Sequence, residues 1–199
     1  MNLRDYKIVI FAVTAVVALF VASPAIQQLA ALPPGEPFTE LWLLGPGHMA
    51  EGFPYNLARG ESYNIYLGIS NHLGHLAYYS VQVKFRNSTQ PGPSSLNRTS
   101  SSQPALCSVY SFVGDNQTWE MPVSFGFDYS YDSASSKVNF NRLLFNNAGL
   151  SLGGYSSSWD SNKTVFFGDL IFELWLYNET VSSFQYHERY VDLKFNMTV

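Results

Sequence analysis

The sequence predicts an all-β fold: an antiparallel, immunoglobulin-like β-sandwich ectodomain preceded by one N-terminal transmembrane helix. Three observations lead to this prediction. Apolar and polar residues alternate along most segments after residue 33, where no segment keeps the i, i+3, i+4 apolar spacing of an amphipathic helix. The N-terminus carries one long uncharged apolar run. Acceptor sequences for N-linked glycans recur after that run.

The N-terminal segment is long and apolar enough for one membrane span. Ile8–Ala22 contains no charge or strongly polar group, and the low-charge run continues to Leu32. These features predict a transmembrane signal anchor over residues 8–32. A cleavable signal peptide is the alternative, because Ser23-Pro24-Ala25 offers a passable cleavage site.

Basic residues predict the orientation of this span. Arg4 and Lys7 precede it, and no further Lys or Arg occurs until Arg59. Since basic residues favour the cytoplasmic side, residues 1–7 form a predicted cytoplasmic head and residues 33–199 a predicted extracellular domain. The expected location is the cell membrane, in single-pass topology.

Six Asn-x-Thr acceptor sequences indicate N-glycosylation outside the cell. The chain has only eight threonines, and six of them lie two residues after an asparagine. Such sites are modified in extracytoplasmic surface loops, in agreement with the charge asymmetry. The predicted glycan carriers are Asn87, Asn97, Asn116, Asn162, Asn178 and Asn196.

The composition suits one folded domain with few charges. The chain is 46% hydrophobic and 13% charged, and this composition excludes a disordered chain. Its length of 199 residues favours one domain over two. The net charge is −4 and no basic run could follow a phosphate backbone, so nucleic acid is not an expected partner. Cys107, the single cysteine, cannot form an internal disulfide and is expected in the core.

Seven segments have the residue pattern of β-strands. Tyr79–Arg86 and residues 189–199 alternate most regularly, and Arg59-Gly60-Glu61 reads as a turn before the alternating run Tyr63–Ile69. The remaining candidates are Phe38–Leu44, Leu106–Val113, Thr118–Phe125 and Val165–Tyr177. Seven or eight strands joined by Gly, Ser, Asn and Pro predict a sandwich of immunoglobulin-like size.

Two long segments interrupt this pattern. Asn87–Pro104 is almost entirely polar, which predicts a glycosylated, solvated loop. Asn146–Lys163 also contains Tyr155 and Trp159, so it either caps its own sandwich or contacts a partner.

A shorter segment, Glu51–Asn56, combines turn residues with two aromatic side chains. Phe53 and Tyr55 could close the open end of the domain or contact a partner. A structural turn is the simpler interpretation.

Several motifs resemble those of an archaeal membrane-associated domain of unknown function, number 1616 in its series. They are Phe38-Thr39-Glu40-Leu41, Leu44-Gly45-Pro46, Ala50-Glu51-Gly52-Phe53-Pro54, Asn56-Leu57, Gly60-Glu61, Gly68-Ile69, Asn71-His72 and the later Glu188-Arg189-Tyr190. The resemblance covers about residues 38–198 and is strongest over residues 38–85. It implies an archaeal source and a surface-facing domain, and it brings no known activity.

Residues that could support chemistry are few. His72 and His75 form the only close histidine pair, and a metal ion would need a third ligand such as His48. The simpler interpretation of this pair is a hairpin turn. Since the chain also lacks Gly-x-Ser-x-Gly and Walker sequences, we expect no metal, no cofactor and no enzymatic activity.

These observations together predict a non-catalytic, N-glycosylated, membrane-anchored archaeal surface protein. It would act as a structural or accessory subunit of a cell-envelope or membrane complex, with protein partners that include further copies of itself. One alternative is a secreted, pilus-like filament subunit that donates Phe38–Leu44 to the next subunit after signal cleavage. Another is a carbohydrate or cell-recognition module that uses Trp42, Trp159 and Trp175.

Overall fold

The computed structural model describes residues 3–30, 36–161 and 164–199. The chain divides into two compact units, Met1–Glu36 and Pro37–Val199. The first unit contains one helix, α1 (Leu3–Ala30), which begins inside the predicted cytoplasmic head and includes most of the predicted span 8–32. Within the residues that the structure describes, no helix combines the length and the apolar character needed to cross a membrane.

The second unit is built from β-strands. Their bounds are β1 Phe38–Leu44, β2 Asn56–Leu57, β3 Tyr63–His72, β4 Ala77–Arg86, β5 Cys107–Val113, β6 Gln117–Asp132, β7 Lys137–Phe145, β8 Ala148–Ser151, β9 Ser156–Ser158, β10 Phe167–Asn178 and β11 Ser183–Met197. The all-β prediction is confirmed for this unit.

The strands form two sheets. Sheet A has the order β1-β3-β6-β7-β8, with β9 also paired to β7, and sheet B has the order β2-β11-β10-β4-β5. The strand pairs are antiparallel except for the short parallel pair of β2 with β11. Edge strand β1 pairs with β3 along its whole length, from Phe38 opposite His72 to Leu44 opposite Tyr66.

The core lies between the two sheets and is rich in aromatic side chains. Phe85 of sheet B lies 4.7 Å from Phe140 and 5.7 Å from Phe127 of sheet A, measured between ring centroids. Phe195 of sheet B lies 5.0 Å from Phe127. Burying each such ring contributes about 1.5–3 kcal/mol, so these contacts hold the sheets together.

Strand β7 is absent from the sequence-based prediction because a bulge breaks its alternation. Tyr129 pairs with Phe140 while Asp128 pairs with Arg142, which leaves Asn141 without an opposite residue. A second irregularity lies in β11, where Leu174 faces Arg189 and Trp175 faces Tyr186. The predicted last strand therefore began too late, since β11 starts at Ser183.

The polar segment Asn87–Pro104 is not fully solvated, because part of it packs on the outer face of sheet B. Ser101 is only 4% exposed. Its carbonyl accepts a hydrogen bond from Lys84 Nζ at 2.9 Å, and its N–H donates to Glu173 Oε1. Lys84 Nζ also lies 2.8 Å from Glu173 Oε2. A buried ion pair, rather than apolar surface, therefore holds this segment.

Candidate interaction surfaces

A groove lies where the edges of the two sheets meet. We call it the edge groove; its volume is about 570 Å³. It is lined by Leu41, Trp42 and Leu43 of β1, Ala50 and Phe53 of the following loop, and Tyr190–Lys194 of β11. Its walls are mainly apolar, with charged side chains at one rim.

A glycine and a tight turn fix the side chains of Trp42 and Phe53, two of the three aromatic residues that line the edge groove. The indole of Trp42 lies against Gly68 of β3, where an added Cβ would come within 2.2 Å of the ring. Phe53 follows a turn closed by a 2.8 Å hydrogen bond from the Gly45 N–H to the Met49 carbonyl. Gly52 enters the left-handed region at φ +70°, which favours glycine. Phe53 thus packs against the edge of the core.

The wall formed by β11 is an open strand edge. Thr39 closes one end, since its carbonyl accepts from Arg189 Nε at 3.4 Å. The other end is closed by Tyr55, whose carbonyl accepts from the Asn196 N–H at 2.7 Å. Among the described strands, none pairs with Tyr190–Phe195 on the side away from β10. Alternate N–H and C=O groups of this edge are therefore available for pairing.

Charge at the rim of the edge groove comes from Asp192 and Lys194. Lys194 Nζ lies 2.7 Å from Asp192 Oδ2. The hydrogen bond to Asp192 raises the pKa of Lys194, so the Lys194 side chain is positively charged at neutral pH. Near the closed end, burial and the neighbouring Arg189 lower the pKa of His187, which is therefore neutral at neutral pH.

A second apolar surface lies on the outer face of sheet B. We call Tyr78, Tyr110, Phe112, Tyr177 and Phe184 the aromatic patch. Tyr78 stacks on Phe112 with centroids 4.1 Å apart, and Phe184 lies 5.1–5.6 Å from Tyr78, Tyr110 and Tyr177. Phe112 is 65% exposed and Tyr110 is 55% exposed. This surface was not predicted from the sequence, although Tyr110 and Phe112 alternate with apolar or small residues on one strand.

The three histidines proposed as weak metal ligands lie in different environments. His72 Nε2 is 2.9 Å from Ser70 Oγ, and its Nδ1 is 3.0 Å from Asn116 Oδ1. The ring of His48 lies 3.6 Å from that of Tyr66, measured between centroids, with the two planes tilted by 31°. Within the described ranges, no three His, Cys, Asp or Glu side chains come together to hold a metal ion.

The turn that contains His75 was predicted as a hairpin, and this prediction is wrong. It joins β3 of sheet A to β4 of sheet B, so it crosses between the sheets. His75 Nδ1 lies 3.1 Å from the Leu73 carbonyl oxygen on the exposed surface.

The five glycan acceptors that the structure describes differ in their surroundings. Asn97 and Asn116 are exposed. The remaining three are half-buried and donate through Nδ2: Asn87 to the Ser156 carbonyl at 2.7 Å, Asn178 to Gln185 Oε1 at 3.2 Å and Asn196 to Asn56 Oδ1 at 3.0 Å. Asn162 lies outside the described residues.

The four aromatic residues predicted as partner contacts occupy different places. Phe53 lines the edge groove. Tyr55 is exposed at the end of that groove. Tyr155 packs edge-on against Phe85 at 5.3 Å, so it caps its own sandwich. Trp159 is 46% exposed, with its ring 5.0 Å from Phe166.

Comparison with known families gives one match. The sequence model of the family described as "Domain of unknown function (DUF1616)" matches residues 32–163, which is more than half of the chain. The chain belongs to this family. The match includes β1 to β9 and therefore one wall of the edge groove, while β10 and β11 lie beyond it. Glu188-Arg189-Tyr190, which the sequence resemblance included, is also outside the matched range.

Solved structures give only distant likenesses. A β-glucosidase from Listeria innocua in complex with glucose has a TM-score of 0.41 at 9% identity, over 81% of this chain and 16% of the enzyme. The CARDB domain of a Pyrococcus furiosus protein in complex with di-metal ions has a TM-score of 0.37 at 6% identity, over 85% of this chain and 96% of that domain. This chain thus spans about a sixth of the length of the glucosidase. Among curated proteins, none matches the chain.

Proposed function

We propose that this protein is a non-catalytic, N-glycosylated, membrane-anchored surface protein. It serves as an accessory subunit of a cell-envelope or membrane complex and binds an extended segment of a partner protein in the edge groove. One observation carries this proposal: an apolar groove and an open strand edge occur at the same place. An archaeal cell surface remains part of the prediction.

The mode of binding we propose is the addition of a strand to sheet B. A partner segment would pair its backbone with Tyr190–Lys194 and place alternate side chains against Leu41 and Phe53. The same edge already accepts one strand within the chain, since Asn56 pairs with Asn196 and Leu57 with Met197 in parallel. Backbone pairing would supply affinity, and the apolar contacts with Leu41 and Phe53 would supply specificity.

The most buried carboxylates have structural roles, which favours binding over catalysis. Glu173 pairs with Lys84 beneath Ser101. Asp169 accepts from Arg86 Nε at 2.8 Å, and Arg86 is also held by the Gln90 carbonyl. These side chains hold the segment after β4 on sheet B, so their geometry is already accounted for by the fold.

Membrane anchoring and glycosylation rest on the sequence. Residues 8–32 have the length and low charge of a bilayer span, part of which lies outside the described residues, and the nearest basic residues precede it. Asn97 and Asn116 are exposed in the folded unit, as glycan carriers must be.

We also propose an immunoglobulin-like relation for the two-sheet architecture. The hairpin β10–β11 beside β4 and β5, facing the pair β1–β3, supports it. One feature of sheet A differs from the immunoglobulin order. Here β6 pairs with β3 and the later strand β7 lies outside β6, whereas in an immunoglobulin sheet the inner strand of this pair is the later one in the chain.

The filament alternative would require exchange of a strand between subunits. Its proposed donor, Phe38–Leu44, is fully paired with β3 of its own chain. A subunit in a filament would therefore have to release this strand before donating it. The recognition-module alternative places its tryptophans on separate elements: Trp42 in β1, Trp159 after β9 and Trp175 in β10.

Site-specific photo-crosslinking in native membranes tests the proposed function. A benzoylphenylalanine residue would replace Phe53 in one variant and Trp159, the matched exposed aromatic control, in another. We expect one partner adduct of defined mass from position 53 and none from position 159. Adducts with a second copy of the chain would favour the filament alternative. The same adducts from both positions, or none from either, would overturn the edge groove as the binding site.

A further inference from the structure

We propose that the aromatic patch rests on the outer surface of the lipid bilayer that holds the anchor. This inference rests on the proposed membrane anchoring and goes beyond it, because it assigns the folded domain a lipid-binding surface of its own. The occupant of the aromatic patch is then lipid rather than a protein partner.

The chain enters the β unit at one end of the sandwich, which we call the anchor end. β1 begins there at Phe38, opposite His72, the last residue of β3. The six Cα–Cα steps from Leu32, the end of the predicted span, to Phe38 cover at most about 22 Å in any conformation. By comparison, β6 alone has 16 residues and is about 50 Å long. Given the proposed span, the anchor end is therefore the end of the sandwich held close to the bilayer.

The aromatic patch borders the anchor end on the outer face of sheet B. A short turn leads from the end of β3 into β4, which begins at Ala77. Asn71 Nδ2 of β3 donates to the Val113 carbonyl oxygen at 2.8 Å, so β5 ends at the same place. The pair of Tyr78 with Phe112 comes directly after the pair of Ala77 with Val113. The two stacked rings therefore lie where the outer face meets the anchor end.

Two exposed apolar side chains extend the patch to the anchor end itself. Leu76 is 64% exposed and lines one cleft with Tyr78 and Phe112. Val181 is also exposed and lies in the turn between β10 and β11, the strands that carry Tyr177 and Phe184. Contiguous exposed apolar surface in a folded domain usually marks a binding surface.

The side chains of the aromatic patch match the chemistry of a bilayer interface. Three of its five members are tyrosines, and tyrosine is enriched where acyl chains meet headgroups because its ring is apolar and its hydroxyl is polar. Residues 73–78, 107–116 and 176–187, which include the whole patch, contain no Lys or Arg. Attraction to anionic headgroups would need such residues. The patch is therefore suited to the apolar boundary of a bilayer rather than to its surface charge.

The predicted glycan carriers near this end lie off the patch. Neighbouring residues of a strand point to opposite faces, so Asn178 points away from the face that carries Tyr177. Its Nδ2 donates to Gln185 Oε1 at 3.2 Å. Asn116 Oδ1 lies 3.0 Å from His72 Nδ1 of β3, which places this side chain beside sheet A. Glycans at these positions are therefore compatible with a patch that contacts lipid.

Quenching of a fluorophore by lipid tests this inference in the full-length protein reconstituted into phosphatidylcholine vesicles. Cys107→Ala removes the native thiol, and Leu76→Cys then provides one labelling position beside the patch. Gln117→Cys is the matched control, because Gln117 is exposed at the anchor end of sheet A, opposite Asn71. Lipids with a nitroxide near the headgroup end of the acyl chain quench a fluorophore that enters the bilayer. Vesicle flotation reports whether the chain is anchored.

We expect quenching at position 76 to exceed that at position 117 several-fold. Adding Phe112→Gln to the variant labelled at position 76 should lower its quenching to the level of position 117. Leu96→Gln replaces an exposed apolar residue of the polar segment instead, so it should leave the quenching unchanged. If Phe112→Gln does not fold, the comparison of positions 76 and 117 decides alone.

Three results would overturn this inference. A chain that floats with the vesicles but is quenched no more at position 76 than at position 117 would overturn it and leave the anchor intact. A chain that does not float would overturn the anchor as well. Energy transfer between labelled copies, without quenching by lipid at position 76, would show that a second copy covers the patch.

Discussion

Lys84→Met is expected to destabilise the protein by about 3–5 kcal/mol at neutral pH, because it leaves the buried carboxylate of Glu173 without its ion-pair partner. The Lys84 and Glu173 side chains are 5% and 0% exposed, with 2.8 Å between Nζ and Oε2. Protonating a glutamate of ordinary pKa at pH 7 costs about 3.7 kcal/mol. Because protonation would remove the unpaired charge, this cost sets an upper limit on the penalty for burying it. Losing the hydrogen bond from Lys84 to the Ser101 carbonyl adds about 1 kcal/mol.

The pH dependence of this variant has a defined sign. The stranded carboxyl of Glu173 would bind a proton in the folded state at a pH where the unfolded chain does not. The penalty is therefore largest at neutral pH and shrinks on acidification by up to about 1.4 kcal/mol per pH unit. Urea unfolding of the full-length protein, followed by tryptophan fluorescence at several pH values, measures both quantities.

The matched control is the double variant Lys84→Met/Glu173→Leu. Because it removes both charges and keeps apolar volume, its stability should lie much closer to that of the wild type. A single variant within about 1 kcal/mol of the wild type would refute the reasoning, since that change is small compared with a typical folding free energy. A double variant that is as unstable as the single variant would also refute the reasoning.

Three further predictions concern other parts of the β unit. Gly68→Ala should cost about 1–3 kcal/mol in urea unfolding because the new Cβ collides with Trp42, whereas Gly153→Ala, with 3.7 Å to its nearest neighbour, should be nearly neutral; equal effects would contradict the packing. His187 has a pKa lowered by burial, so unfolding free energy should fall as pH drops below 6.5, and His187→Gln should flatten this slope; an unchanged slope would contradict it. Burial raises the pKa of Cys107 to about 11, so iodoacetamide should modify it slowly at neutral pH until urea unfolds the chain. Rapid alkylation of the folded protein would contradict this expectation.

Strands with regular alternation could be predicted from the sequence. Tyr79–Arg86 lies within β4, and Phe38–Leu44 coincides with β1. Strand β7 could not be found this way, because the bulge at Asn141 moves its apolar residues out of a strict period of two. The same limitation explains the early part of β11, where the chain makes an irregular turn at Glu188 with a φ of 56°.

The edge groove could be anticipated only in part. Phe53 stood out because an aromatic residue follows a glycine turn, and the structure places it in the groove. Its opposite wall, Tyr190–Lys194, lies far along the chain. Sequence periodicity predicts which face of each strand is apolar, but it does not predict which edges meet.

The polar segment Asn87–Pro104 illustrates a different limit. Its composition predicts solvation because it offers little apolar surface. The structure instead packs Ser101 on a buried ion pair whose members, Lys84 and Glu173, lie on different strands. Alternation places Lys84 on the polar face of β4, but only the tertiary structure shows that this face is covered.

The intact mass of the protein purified from its native membranes tests the central claim most directly. The account predicts a chain that retains residues 8–32 and carries the added mass of glycans on its Asn-x-Thr sites. A chain that begins near Ile26 would contradict the anchor. A mass equal to that of the unmodified sequence would contradict the glycosylated surface domain.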